Sequence, residues 1–376
     1  MKIAIFHELV YPYNKGGGEI QRFQIARYLA EFGHDVTLIG YRYPNATRNE
    51  NIRGFKIKRV GPFAIRDAHQ HFPRVFDALS MMPTVVRSDY DIMMTNPYFS
   101  LPVTLPFAKL FGKTVVVTWD DVFGYQTFKT HKGSALGMFG DILEKMCLFI
   151  TKYADHVFTV STSTKEKLIK SGIKPEKITV MYSGVNLEDY PKSKVKKKGQ
   201  IVYVGRHVFY KNVDHLIRAF ANIAKSNKSV KLVILGYGTE TETYKQLAKE
   251  LNIDSRIEFR GFVNQQQKIQ AIRESLFLVL PSSFEGFGLV LAEANICDTP
   301  YIAYDIPAVR EVTEITKGGI LVENGNIVAL ESAMKKLLSD SRLRQKLANV
   351  GQENVSKHLT WKSVAKIVNE KLISLF

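Results

Sequence analysis

The sequence predicts an α/β protein built from two doubly wound domains. Short, nearly continuous apolar strands alternate with helix-period stretches from one end to the other, the pattern of parallel sheets covered on both faces. At 376 residues the chain is too long for one ordinary core. A lysine-dense interruption at 192–198 then divides the alternation into two halves.

In the first half, strands are expected at 2–9, 36–41, 55–60, 92–96, 114–119, 156–161 and 178–182. The second half offers 201–206, 231–236, 257–261, 276–282, 301–305 and 319–322. Intervening helices include 19–32, 214–225, 241–251 and 289–296. The segment 192–198 holds five lysines, cannot bury itself, and is expected to be a solvated linker. A last amphipathic segment, 361–376, is expected to dock on the body of the protein rather than enter a membrane, being short and interrupted by polar residues.

Composition narrows the class. Hydrophobic content of 45% and charged content of 23% are those of a soluble globular protein. The chain opens directly on a strand, so no leader peptide is expected, and no apolar run is long enough to span a bilayer. Cys147 and Cys297 sit far apart in apolar surroundings, as buried thiols of a reducing compartment would. The net charge of +16 suits a phosphorylated substrate or an anionic membrane surface. Nucleic acid is not expected, because the excess is spread along the chain and no recognition motif accompanies it.

The most informative motif runs E-G-F-G-L-V-L-A-E from Glu285 to Glu293, where an apolar strand turns into a helix. Glu285 is placed in the loop and Glu293 one or two turns along the helix. Gly286 and Gly288, either side of Phe287, let the backbone approach a ligand, and Leu289 opens the helix. Carboxylates accept bonds from sugar hydroxyls, while amides at a helix start receive an anion. Arg206 and Lys211, in V-G-R-H-V-F-Y-K, end the first strand of the second half. As a pair they can clamp a diphosphate, Arg by its planar fork and Lys as a point charge. Taken alone they read sooner as two solvated surface cations, and Glu285 and Glu293 in the same half of the chain reverse that reading.

Four weaker signals lie at other strand ends. Gly16, Gly17, Gly18 and Glu19 open a helix after the first strand. They can turn amides toward a phosphate, or form a plain turn with Glu19 favouring the helix dipole. They are not a dinucleotide fingerprint. Thr118, Trp119, Asp120 and Asp121 end another strand. Adjacent carboxylates on a strand point opposite ways, so no shared metal site is expected. Gly236-Tyr237-Gly238 permits close approach to a nucleotide or simply turns, and Arg260 to Val263 would border a base. His7, His34, His131 and His207 share no ligand spacing.

Taken in order, Gly-Gly-Gly-Glu, V-G-R-x4-K and E-G-F-G-L-x-x-x-E resemble the retaining glycosyltransferases of family 4, over essentially the full length. The resemblance implies the GT-B fold: two Rossmann-like domains facing each other across a cleft. It implies an acceptor domain at 1–190, a linker at 191–199, a nucleotide-sugar domain at 200–355 and a helix at 356–376 that returns to the first domain. By that resemblance Arg206 and Lys211 bind the donor diphosphate, and Glu285 contacts hydroxyls of the transferred sugar. Gly286, Phe287, Gly288 and Leu289 supply amides, and Glu293 holds the ribose. Gly17 and Gly18 face the diphosphate, Val263 lies by the base, Gly236 is near the nucleotide, and Ser161 and Thr162 are near the cleft. Many members carry a histidine where this chain has Asp120, which puts the choice of sugar in question.

The resemblance further implies transfer from a UDP-, GDP- or ADP-sugar to a hydroxyl, with retention and without metal or other cofactor. The acceptor would be a glycan or a lipid-linked precursor. The enzyme would be cytoplasmic. The basic cluster Lys56, Lys58 and Arg59 and the region 62–87 suit a peripheral site on an anionic membrane, or are ordinary helices and loops of the acceptor domain. A nucleotide-sugar epimerase and a non-catalytic nucleotide-sugar binder are the alternatives.

Overall fold

In the computed structural model, residues 1–13, 16–64, 77–86, 89–124, 134–191, 195 and 197–376 are described. The chain forms two compact units. One comprises 1–183 together with 361–376, the other 184–360.

Unit 1 holds β1 (Lys2–Phe6), β2 (Asp35–Arg42), β3 (Asn49–Ile52), β4 (Phe55–Ala64), β5 (Ile92–Thr95), β6 (Thr114–Trp119), β7 (His156–Thr159) and β8 (Ile178–Val180). Its helices are α1 (Gly17–Glu31), α2 (Met82–Val86), α3 (Leu101–Leu110), α4 (Ser134–Thr151) and α5 (Thr162–Lys170). The sheet order is β3-β4-β2-β1-β5-β6-β7-β8, parallel except for the β3–β4 pair. That antiparallel edge was not foreseen, because Asn49–Ile52 reads N-E-N-I and lacks an apolar strand pattern. Strand order reverses between β1 and β5, the switch point at which ligands bind outside strand ends in such sheets.

The core explains the register. Phe6, Ile39, Val117 and Trp119 are buried from neighbouring strands. Trp119 also donates its indole N–H to Thr151 Oγ1 at 3.1 Å, which anchors the end of β6. Ser161, buried at the N-cap of α5, accepts from the Thr164 amide at 3.2 Å. Its presence thus has a capping explanation, worth about 1 kcal/mol.

Unit 2 contains β9 (Gln200–Val204), β10 (Lys231–Leu235), β11 (Ile257–Gly261), β12 (Phe277–Leu280), β13 (Tyr301–Tyr304) and β14 (Gly319–Val322). The helices are α6 (Val213–Ser226), α7 (Thr241–Glu250), α8 (Gln265–Glu274), α9 (Leu289–Ile296), α10 (Pro307–Thr316), α11 (Ile327–Ser339) and α12 (Ser341–His358). Every pairing in its sheet, ordered β11-β10-β9-β12-β13-β14, is parallel. The switch point falls between β9 and β12. The final helix α13 (Trp361–Leu375) belongs to unit 1 and packs on α1, burying Trp361, Val364, Val368 and Leu372.

Two expectations from charge are corrected. Of the lysine-dense segment, residues 192–194 and 196 lie outside the described residues, but Lys197 is half-buried and bonded to the protein. Its ammonium donates to Asp298 O at 2.8 Å and Thr299 Oγ1 at 2.9 Å, and burial pulls its pKa down to about 8. Lys198, more exposed, pairs with Glu274 at 2.6 Å. A pleated strand also divides the basic cluster expected to face a membrane. Lys56 and Lys58 point out, whereas Arg59 is buried and paired with Glu50 at 2.8 Å. Much of 62–87, and His131, lie outside the described residues. Both cysteines are buried and unbridged, and burial pushes each thiol up to about 12.

Candidate functional site

In unit 2 the loops after β9 and β12 are stitched together. The Ser283 amide donates to Tyr210 O at 2.9 Å, and Asn212 Nδ2 donates to Pro281 O at 3.0 Å. Because β9 and β12 are neighbours, this brings Lys211 and Glu285 together although 74 residues separate them. Lys211 Nζ lies 2.5 Å from Glu285 Oε1, with the side chains 12% and 13% exposed. Arg206 is exposed at the same strand end, its Nη2 donating to Tyr210 Oη at 3.0 Å. Asn212, left-handed at φ 46°, starts α6 immediately after Lys211 and so sets that side chain's position.

Helix α9 begins at Leu289 after Gly288, whose φ of 89° favours glycine. Glu285 therefore sits in the loop and Glu293 one turn into the helix. Phe287 is turned into the core, leaving its backbone as the part able to meet a ligand. Glu293 is buried and already engaged. It accepts from Lys268 Nζ at 2.6 Å and Tyr190 Oη at 3.0 Å. Gln265 Nε2 donates to that same Tyr190 oxygen at 3.1 Å. Burial holds the Tyr190 phenol well above its usual range, so it remains a donor.

Other predicted residues fall nearby with different duties. A Cβ on Gly236 would lie 1.9 Å from Gly205 O, so this glycine allows two backbones to touch. Val263 is half-buried just beyond β11, beside the exposed Phe262. Arg260, exposed at the end of β11, forms a two-pronged pair with Glu258 at 2.9 Å for both bonds. His207 is buried, bonded through Nδ1 to Thr241 Oγ1 at 2.9 Å, and burial lowers its pKa to about 4.

Unit 1 gathers its own group at the β1 and β6 ends. Gly17 and Gly18 open α1, and a Cβ added to Gly18 would lie 2.7 Å from Asp120 Oδ2. Arg22, one turn further along α1, donates from Nη1 to Asp120 Oδ1 at 2.7 Å while only 5% exposed. Its Nη2 reaches Thr118 O at 3.4 Å. Asp121, also beyond the end of β6, turns to a different partner and takes Lys167 Nζ at 2.7 Å. Among the described residues, no group of three or more metal-ligating side chains occurs.

Arg22, Tyr190, Tyr210 and Lys268 were not singled out from sequence. A buried arginine or lysine carries no pattern that separates it from a solvated one. Only the partner across the fold identifies it.

Two family models match the chain. Glycosyltransferase Family 4 covers residues 15–189 and Glycosyl transferases group 1 covers 187–354. An uncharacterized glycosyltransferase of Methanocaldococcus jannaschii is 26% identical over 97% of this chain and 96% of its own. The phosphatidylinositol N-acetylglucosaminyltransferase GPI3 subunit of Saccharomyces cerevisiae is 23% identical over 97% of this chain and 81% of its own. Among solved structures, sucrose-phosphate synthase from Thermosynechococcus elongatus superposes with a TM-score of 0.87 at 21% identity, covering 100% and 99% of the two chains. Anabaena HepE in complex with UDP and glucose gives 0.80 at 17% identity, covering 100% of both.

Proposed function

We propose a reaction for this chain from the premise that it belongs to the family 4, group 1 glycosyltransferases and has the GT-B fold. It moves a sugar from a nucleoside diphosphate sugar to an acceptor hydroxyl, with retention at the anomeric carbon. The observation that carries this reading is the Lys211–Glu285 pair with Arg206 beside it, at the switch point of the unit 2 sheet.

In this reading the donor diphosphate meets Arg206 and Lys211, and Lys211 turns part of its charge from Glu285 to phosphate. Glu285 then accepts from hydroxyls of the transferred sugar. Glu293, pre-set by Tyr190 and Lys268, accepts from the ribose hydroxyls. Val263 and the chain near Gly236 border the nucleotide. Amides from Gly286 to Leu289 meet the sugar and phosphate. Unit 1, taken by itself, offers the amides of Gly17 and Gly18 to an anion and the Asp120 carboxylate to hydroxyls.

As the bond from the anomeric carbon to phosphate lengthens, negative charge builds on the diphosphate. The two cations stabilise it, a contribution worth roughly two to three orders of magnitude in rate. The acceptor hydroxyl attacks from the face the diphosphate leaves, and a phosphate oxygen takes its proton. No step needs a metal, since Arg206 and Lys211 neutralise the leaving group. A relative named as a phosphatidylinositol N-acetylglucosaminyltransferase supports a lipid-linked acceptor, and a neighbour solved with UDP and glucose supports a uridine donor.

The test is turnover of UDP-, GDP- and ADP-sugars with lipid and glycan acceptors, the product anomer being read by NMR. Retained configuration in an acceptor-dependent product is expected. An inverted product overturns retention, and conversion of donor without acceptor makes the protein an epimerase instead.

A further inference from the structure

Helix α4 has two apolar sides, and among the described residues only one is covered. Leu143, Cys147 and Leu148 pack into the unit 1 core. On the other side Met138, Phe139, Ile142, Met146 and Phe149 are 56%, 55%, 59%, 41% and 58% exposed, and Tyr153 just beyond the helix is 60% exposed. Steps of three and four residues place them on one stripe about 22 Å long. Phe149 and Tyr153 touch edge to face at 5.7 Å between ring centres. Beside the stripe, an apolar groove of about 310 Å³ is lined by Leu79, Phe99, Val103, Phe139, Ile142 and Met146. A patch this continuous is the mark of an interaction surface, whereas scattered apolar residues are not.

Charge identifies the partner. Both carboxylates of α4 are turned inward. Asp141 is 8% exposed, and Glu144 is 2% exposed with the Phe123 and Gly124 amides donating to it at 2.8 and 2.7 Å. The exposed charges are Lys145 on the helix, which reaches back to Asp141 at 2.8 Å while 72% exposed, and Lys152 just beyond its end. Among the described residues the outer face is therefore apolar and cationic, with no exposed acid on the helix, on a chain carrying +16. A second copy docked here would set like charges together around the contact. An anionic lipid surface matches both features, hydrocarbon for the stripe and headgroup charge for the lysines.

We propose that this face of α4 rests on an anionic bilayer, with Phe139, Ile142 and Phe149 entering the boundary between headgroups and acyl chains. Lys145 and Lys152 meet the headgroups. The inference moves the membrane-facing surface away from Lys56, Lys58 and Arg59, and it stands whether or not the transfer reading holds. None of the helices of the described residues is long and apolar enough to cross a membrane, so the contact is in the plane of the surface.

Vesicle flotation of the full chain, without donor or acceptor, tests it. The vesicles are phosphatidylcholine with and without phosphatidylglycerol. Flotation with the anionic vesicles is expected, weaker with the neutral ones. It should fall by about tenfold or more in the variant Phe139→Ser, Ile142→Ser, Phe149→Ser and in Lys145→Glu, Lys152→Glu. Melting temperatures near that of the parent show that the variants fold. As an independent probe, Phe149→Trp should shift its emission to the blue when anionic vesicles are added, against the two native tryptophans, which are buried. Absence of the parent from the anionic lipid fraction overturns the proposal. So does undiminished flotation of a folded triple variant, or a dimer that the triple variant returns to monomer. Because no donor is present, failure here leaves glycosyl transfer untouched, and failed turnover leaves this surface untouched.

Discussion

Lys211 and Glu285 form an ion pair of 2.5 Å in which each neutralises the other within unit 2. The cation assigned to the diphosphate and the carboxylate assigned to the sugar are thus held ready by one another. Removing only the cation strands a carboxylate that is 13% exposed. Lys211→Met should lower turnover by about two to three orders of magnitude and stability by on the order of 3 kcal/mol. Adding Glu285→Gln should restore most of the stability in urea melts and none of the turnover. Recovery of both would make the pair structural only.

Arg206 should separate the two effects more cleanly. It is exposed and tied to the protein through Tyr210 Oη. Arg206→Ala should change stability by less than about 0.5 kcal/mol, yet lower turnover by about two to three orders of magnitude. Thermal melts and donor turnover on the same preparation check this, and undiminished turnover removes Arg206 from the site.

The glycines of α1 differ in what a methyl group would meet. At Gly18 it would press on Asp120 Oδ2, whereas at Gly17 nothing lies within 4 Å. Gly18→Ala should displace the carboxylate that Arg22 holds and lower kcat/KM by about tenfold or more, since catalytic geometry tolerates little movement. Gly17→Ala should leave the melting temperature unchanged, so a raised KM for donor in that variant reports a diphosphate at the helix start. Equal behaviour of the two variants would contradict the assignment.

His207 links the loop after β9 to acid stability. Burial lowers its pKa in the folded state from 6.5 to about 4, so the unfolded chain takes up the proton first as pH falls. Its contribution is intact above pH 6.5 and is lost progressively toward pH 4. The urea midpoint of the parent should drop through that window more steeply than that of His207→Gln. Parallel curves would show that another group controls the acid limb.

Where local pattern carried the information, sequence and structure agree closely. The helix 289–296 and the strands 114–119, 257–261 and 319–322 have the bounds expected of them, because apolar runs ending at glycine or a polar turn leave little freedom. The edge strand Asn49–Ile52 escaped notice because pairing with β4, not its own composition, makes it a strand. Lys197 and Arg59 were misjudged for a related reason. A lysine run and a basic triplet suggest solvent, and only partners elsewhere in the chain turn individual members inward.

The sequence by itself determined the alternating architecture, the two sheets and the family, because these rest on periodicity and short motifs carried by neighbouring residues. It also placed Arg206 and Lys211 after a strand, Glu285 in a strand-to-helix loop and Glu293 in the helix that follows. What tertiary structure alone decided is the pairing: Lys211 with Glu285, Glu293 with Tyr190 and Lys268, Asp120 with Arg22, and the face of α4 that stays uncovered. Those contacts join positions up to 103 residues apart. Distance in space between such positions is set by strand order and loop geometry, which no local pattern encodes.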